Sequence, residues 1–239
     1  MRLPNEWEIF LNSSFPLQQF YFQLDEFLKE YEFVIPKKKK IFHVFDYMQP
    51  QDVKCVLFGE DPYPRISSAC GVAFWDKEIN SWDDKTNGNS LKNILKSILV
   101  HQGYATYKTP ISECREIASK NGFKTPPQLF EHWLGQGVLL INTAMTFSGS
   151  KYKKKHFNFW KSFHKNLLTL LNKRESSPYY ILWGNKAQAW DNDILQSIDD
   201  PYKIIKQGHP TFIHQFLDKN NISFSPFEEI VSKTEISWY

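Results

Sequence analysis

The chain has 239 residues, a formal net charge of +3, 41% hydrophobic residues and 16% aromatic residues. So small a net charge excludes a histone-like or tail-type nucleic-acid binder but permits a local basic face, and the apolar content excludes wholesale disorder. The cysteines Cys55, Cys70 and Cys114 form no CxxC pair or Cys/His cluster, so neither a disulfide framework nor a zinc or iron–sulfur site is expected.

The N-terminal MRLPNEWEIF lacks the basic segment, apolar run and small-residue cleavage site of a secretory signal. No stretch is apolar for long enough to span a bilayer. The expectation is a soluble protein with no membrane partner in a reducing compartment: cytoplasmic if bacterial, nuclear if eukaryotic or viral. Residues 16–31 read as an amphipathic helix, and the Lys37–Lys40 run as a surface loop.

Val53–Phe58 is the first of four short, apolar, β-rich runs; the others are Val138–Ile141, Tyr179–Trp183 and Tyr202–Ile205. Residues 64–89 carry no convincing helix, and a connection of that length inside a compact domain is usually functional or disordered. The GVAFW within it reads as a packed binding loop. Ser90 opens a helix whose Leu91, Ile94, Leu95 and Ile98 form one stripe. Thr125-Pro126-Pro127-Gln128 has the grammar of a capped helix start, and Ser225-Pro226-Phe227-Glu228 repeats it. Phe157–Leu171 is a further amphipathic helix. Continuous apolar strands alternating with helices predict one α/β domain over residues 1–239, with a central, mostly parallel four-stranded sheet flanked by helices.

Each strand run ends in a polar or turn-forming cluster: Gly59 to Tyr63, Asn142-Thr143, Gly184-Asn185 and Gly208-His209-Pro210. Ligands of open α/β sheets sit outside the carboxyl ends of the strands, so the four clusters should converge on one pocket. It would hold a carboxylate (Asp61), an amide (Asn142), an imidazole (His209) and the rings of Tyr63 and Phe74. That set suits a small, flat, polar heterocycle: an amide both donates and accepts, a ring stacks, and an imidazole donates to a developing oxyanion. The chain has no GxSxG, Walker A or GxGxxG motif, which sets hydrolase-elbow, kinase and dehydrogenase readings aside.

The same residues resemble the motifs of the family 1 uracil-DNA glycosylases. GEDPYP at 59–64 is similar to that family's water-activating GQDPYH, and the spacing onward to Gly71-Val72-Ala73-Phe74 matches its base-stacking phenylalanine. LLINTAMT at 139–146 resembles LLLN-x-x-LT, and ILWGNKAQ at 181–188 resembles LLWG-x-x-AQ. GHPTFI at 208–213 resembles the HPSPLS leucine loop, and FSPFEEI the terminal helix. The motifs occur in the family's order across roughly residues 50–230, and the fold implied is that family's three-layer α/β/α.

The resemblance implies hydrolysis of the N-glycosidic bond of a uracil flipped out of DNA, leaving an abasic site. Asp61 would stabilise the cationic sugar and position the attacking water, and His209 would donate to the departing uracil. Asn142 would read the imide edge, Tyr63 would exclude a thymine methyl, and Phe74 would stack, with Glu60 beside them in the substrate site. Pro64, Ser90, Asn185, Thr211, Ile213, Lys153 and Lys154 fall where DNA contacts are expected, Ile213 at the position of the intercalating leucine. The implied partner is uracil-containing DNA, single- or double-stranded, acted on by a monomer without metal or organic cofactor and open to proteinaceous glycosylase inhibitors. Three departures stand out: Glu60 replaces Gln, Pro64 replaces His, and TFIH replaces SPLS. Two alternatives stay open from the residues alone, a non-catalytic DNA-binding or replication accessory module on this scaffold and a glycosylase for another deaminated base.

Overall fold

The computed structural model describes residues 1–84 and 86–239; Lys85, in the SWDDKTNGNS loop, lies outside the described residues. In chain order the elements are α1 (Asn5–Asn12), α2 (Leu17–Lys29), β1 (Cys55–Gly59), α3 (Asn89–His101), α4 (Ile111–Lys120), α5 (Pro126–Gly135) and β2 (Val138–Asn142). There follow α6 (Lys153–Asn172), β3 (Tyr179–Trp183), α7 (Gly184–Gln188), α8 (Asp191–Leu195), β4 (Ile204–Gln207), α9 (Ile213–Phe216) and α10 (Pro226–Lys233). The strands form one all-parallel sheet in the order β2-β1-β3-β4. β1 and β2 are buried along their whole length, as strands covered on both faces must be.

Strand side chains alternate between two helical layers. On one face Phe58 stacks on Trp190 at 5.9 Å, and the Tyr180 hydroxyl bonds Asn172 at the end of α6. On the other, Trp183 meets Phe74, Phe216 and Phe227, the last on α10. A sheet sandwiched in this way is the expected three-layer α/β/α arrangement. One hydrophobic cluster runs from Leu3 to Trp238 and unites both layers. Among the described residues no helix is long and apolar enough to cross a membrane.

The helix starts obey their local grammar. Thr125 and Gln128 form a reciprocal capping box at α5, and the Ser225 hydroxyl accepts the Phe227 N–H at α10. Residues 64–89 contain turns, bends and the isolated bridge Ala69↔Asp76, with no helix among the described residues before Asn89.

Four boundaries depart from expectation, the first being β1, which is Cys55–Gly59 rather than 53–58. The last strand is Ile204–Gln207 rather than 202–205, because Asp200 caps a tight turn at Pro201–Lys203 by accepting the Tyr202 N–H. Helix α6 begins at Lys153 rather than Phe157, because His156 and Trp160 already belong to its buried stripe. The early helix is shorter, Leu17–Lys29. Helices α1, α4, α7, α8 and α9 have no counterpart in the sequence reading; α7, α8 and α9 are each five residues or fewer, and α1 and α4 start at Pro4 and Pro110 with no side-chain cap.

Candidate active site

The carboxyl ends of the strands meet as the α/β rule requires. Gly59 pairs with Asn142 in the β1–β2 register, and two bonds continue the lacing beyond it: Thr143 N–H to the Gly59 carbonyl and Ala144 N–H to the Glu60 carbonyl. A cavity of about 200 Å³ opens there, lined by Glu60, Asp61, Tyr63, Pro64, Phe74, Ser90, Asn142, His209 and Thr211 among others. Nine of the residues singled out from sequence therefore share one cavity, although they come from five separate chain segments. Its volume lies below the roughly 300–1,000 Å³ of clefts for drug-sized ligands, and suits one small ring.

Each polar group has an identifiable support. The Asn142 side chain, on a residue only 9% exposed, lies directly over the Cα of Gly59, where any side chain at 59 would collide with its amide oxygen. Gly184 plays the same part under His209: a Cβ there would stand 2.7 Å from the His209 Cβ, and its φ of +81° is one that L side chains rarely adopt. His209 Nδ1 accepts the Thr211 N–H at 3.1 Å. That bond leaves a neutral ring with its proton on Nε2, and burial pushes the imidazole below its ordinary pKa, against the opposing charge of Glu60.

Phe74 is a non-glycine residue with φ of +64°, in a region that costs such a residue of order 1–3 kcal/mol. Two hydrogen bonds hold it there: Ala73 N–H to the Leu140 carbonyl, and the Tyr63 hydroxyl to the Phe74 carbonyl at 3.0 Å. Its ring is clamped edge-on by Trp183 at 5.5 Å. One bond thus fixes both rings of the cavity.

The Asp61 carboxylate is 14% exposed and pairs with Lys153 Nζ at 2.9 Å; the same ammonium reaches Glu60 at 3.4 Å. Burial pushes the Asp61 carboxyl above its usual range and Glu60 adds to this, while Lys153 and more distantly Lys186 pull it back. Lys153 was expected on a phosphate; it lies against the carboxylates instead, a contact that sequence reasoning missed. Lys153 and Lys154 also line a larger groove of about 580 Å³ with Lys151, Lys161 and Lys186 over Phe157 and Trp190, and Glu60 borders both spaces.

The remaining expected DNA contacts divide between the cavity rim and positions away from it. The Ser90 hydroxyl bonds Thr211 at 2.7 Å across the cavity rim, joining α3 to the loop after β4. Asn185 is exposed in α7 and does not line the cavity. Ile213, expected as an exposed wedge, is half-buried as the first residue of α9, and Phe212 beside it is 50% exposed.

A family model described as the uracil DNA glycosylase superfamily matches residues 45–233. A uracil-DNA glycosylase of Bacillus thuringiensis subsp. konkukian is 29% identical over 213 residues, 87% of this chain and 82% of its own length. Among solved structures, a mutant UNG from Nitratifractor salsuginis has a TM-score of 0.72 at 24% identity, over 89% of this chain and 87% of that one. A mimivirus UNG variant solved in complex with UGI has a TM-score of 0.61 at 24% identity, over 87% of this chain and 70% of that one. These structural likenesses speak to the fold.

Proposed function

The chain belongs to the uracil DNA glycosylase superfamily, and we propose that it hydrolyses the N-glycosidic bond of uracil in DNA with Asp61, Asn142 and His209 as the groups that act on the base and sugar. It is a hydrolase of N-glycosyl bonds, as its relatives' name, uracil-DNA glycosylase, indicates, and uracil excision is the opening step of base-excision repair. The observation that carries the residue assignment is the gathering of Asp61, Tyr63, Phe74, Asn142 and His209 around one cavity sized for a single ring.

The base must leave the stack to reach that cavity, at an unstacking cost lowest in single strands. Phe74 offers it a fixed ring face. Asn142 accepts from the imide N–H and donates to the adjacent carbonyl; cytosine presents the opposite pattern and would leave buried polar groups unpaired. Tyr63, immobilised through its hydroxyl, stands where a 5-methyl group would go. As the bond breaks, negative charge gathers on uracil and positive charge on the sugar. His209 donates through Nε2–H to the anion, and a preorganised donor of this kind is worth ~3–4 kcal/mol in a transition state. Asp61 faces the cation and orients the water. A proteinaceous inhibitor of the UGI kind is the proposed protein partner, supported by the similarity in fold to a chain solved with UGI.

The test is release of base from an oligonucleotide carrying one uracil, in EDTA, followed by hot alkali. Wild type should cut only at uracil, and Asp61→Asn should fall by ~10²–10⁴-fold, the usual worth of a positioned acid–base group. Asn142→Asp should begin to cut at cytosine. Uracil release that survives Asp61→Asn unchanged would remove Asp61 from the mechanism, and no release by wild type would leave a DNA-binding scaffold.

A further inference from the structure

Glu60 places a second carboxylate beside the one that faces the sugar, and its like charge adds to the upward push that burial exerts on the Asp61 carboxyl. The structure supplies a counter-charge. Lys153 stands at the first position of α6, where the helix fixes its backbone, and its Nζ lies between Asp61 Oδ2 at 2.9 Å and Glu60 Oε1 at 3.4 Å. We propose that Lys153 is a positioning residue for the glycosylase reaction, clamping Asp61 at the cavity wall and offsetting the extra negative charge that Glu60 brings. The inference rests on the reading of Asp61 as the reacting carboxylate.

An ordinary surface ion pair contributes little, but this one differs in two respects. Asp61 is only 14% exposed, so little water competes for it. One ammonium also engages two acceptors, so rotation of either carboxylate costs a contact. The other charged groups facing Asp61 are few: Lys186 from α7, and His209 across the cavity from the loop after β4. His209 is neutral by virtue of the bond from Thr211, and Lys186 acts on Asp61 through charge alone, without a direct bond. Among the described residues, Lys153 is therefore the cation in contact with the reacting group.

The rival role is a phosphate contact, since Lys153 also lines the basic groove. The two roles predict different responses. As a clamp, Lys153→Met should move the acid limb of the kcat/KM profile for a single-stranded uracil oligonucleotide upward by about 1–3 pH units, the effect of removing an adjacent opposite charge. Lys153→Arg should keep the limb in place. Adding Glu60→Gln to Lys153→Met should return it toward wild type, because the surplus negative charge is then gone. As a phosphate contact, Lys153→Met would lower kcat/KM equally at every pH and reduce the salt slope by about 0.7, one phosphate's worth on a single strand. Lys153 is partly exposed, so thermal unfolding should confirm that the variants fold. An unmoved limb, or a limb that Glu60→Gln fails to restore, overturns the clamp in an active enzyme. Absence of uracil release by wild type overturns the glycosylase reading itself, and the clamp with it.

Discussion

Asn142 and His209 owe their placement to two residues without side chains. Gly59 lies under the amide and Gly184 under the imidazole, and neither could carry a Cβ without displacing the group above it. Gly184→Ala should therefore harm activity more than stability. The φ of +81° and the 2.7 Å approach to the His209 Cβ should lower stability by about 1 kcal/mol or somewhat more. A displacement of His209 near 1 Å can cost on the order of 100-fold in rate. Excision rate and thermal midpoint measured together check this; a stability loss with full activity would show that His209 can shift without consequence. Asp61, Asn142 and His209 were legible in the sequence because each follows an apolar strand run and so inherits a place at the sheet's carboxyl edge. The Lys153 bridge was not, because it joins residues 93 apart in the chain and nothing in either neighbourhood encodes the other. A run of lysines looks the same whether it faces water, phosphate or a buried carboxylate.

The loop from β4 to α9 shows how element boundaries decide which residue does a task. The Asn93 amide donates to the Pro210 carbonyl, and Ser90 bonds Thr211, so the loop is tied to the start of α3 on the cavity side. The chain then turns into α9, whose first residue Ile213 is drawn half inside, while the Phe212 ring stays 50% exposed at the tip. An apolar side chain that wedges between bases must be the one that projects. Phe212→Ala should thus slow excision from duplex DNA more than Ile213→Ala does. It should affect single strands little, because there is less stacking to break. The reverse ranking on duplex substrate would return the wedge to Ile213. Motif alignment alone pointed to Ile213, since it numbers positions without knowing where a helix begins. The same blindness moved β4 by two residues: 202–205 is apolar enough for a strand, but the Asp200 cap and Pro201 claim its first half for a turn. The run at 138–141, buried on both faces, left less room for error: β2 is Val138–Asn142.

Across the whole molecule, the aromatic residues that the composition offered for stacking are mostly spent on the core, and they bind the N-terminal helices to the one that carries Lys153. Phe20 stacks on Phe163 at 5.3 Å and Phe27 on Phe159 at 4.3 Å, joining α2 to α6. The same helix buries two histidines. His156 Nδ1 shares a hydrogen bond with the Thr146 hydroxyl, which also accepts from Trp160. His164 is fully buried behind the end of β2, with the Asn142 and Thr143 backbone beside its ring. Burial pushes each imidazole down to about 4, against roughly 6.5 in an unfolded chain. A depressed folded-state pKa means that the unfolded chain binds the proton first. The stabilisation is complete above about pH 6.5 and is lost as pH falls toward 4. At 1.36 kcal/mol per pH unit the loss at pH 4 approaches roughly 3 kcal/mol per histidine, a large share of a typical 5–15 kcal/mol. Asp61, raised by burial, has the opposite sign, but it is one group held back by Lys153 against two histidines with no charged partner. Urea midpoints should hold steady from pH 8 to 6.5 and fall steeply below. His164→Phe, which removes one of the two buried proton acceptors, should flatten about half of that fall; an unchanged slope would place the acid sensitivity elsewhere. The window also separates two acid effects on catalysis. A fall that Lys153→Met displaces belongs to the Asp61–Lys153 contact, whereas a fall that tracks the urea midpoint belongs to the buried histidines of α6.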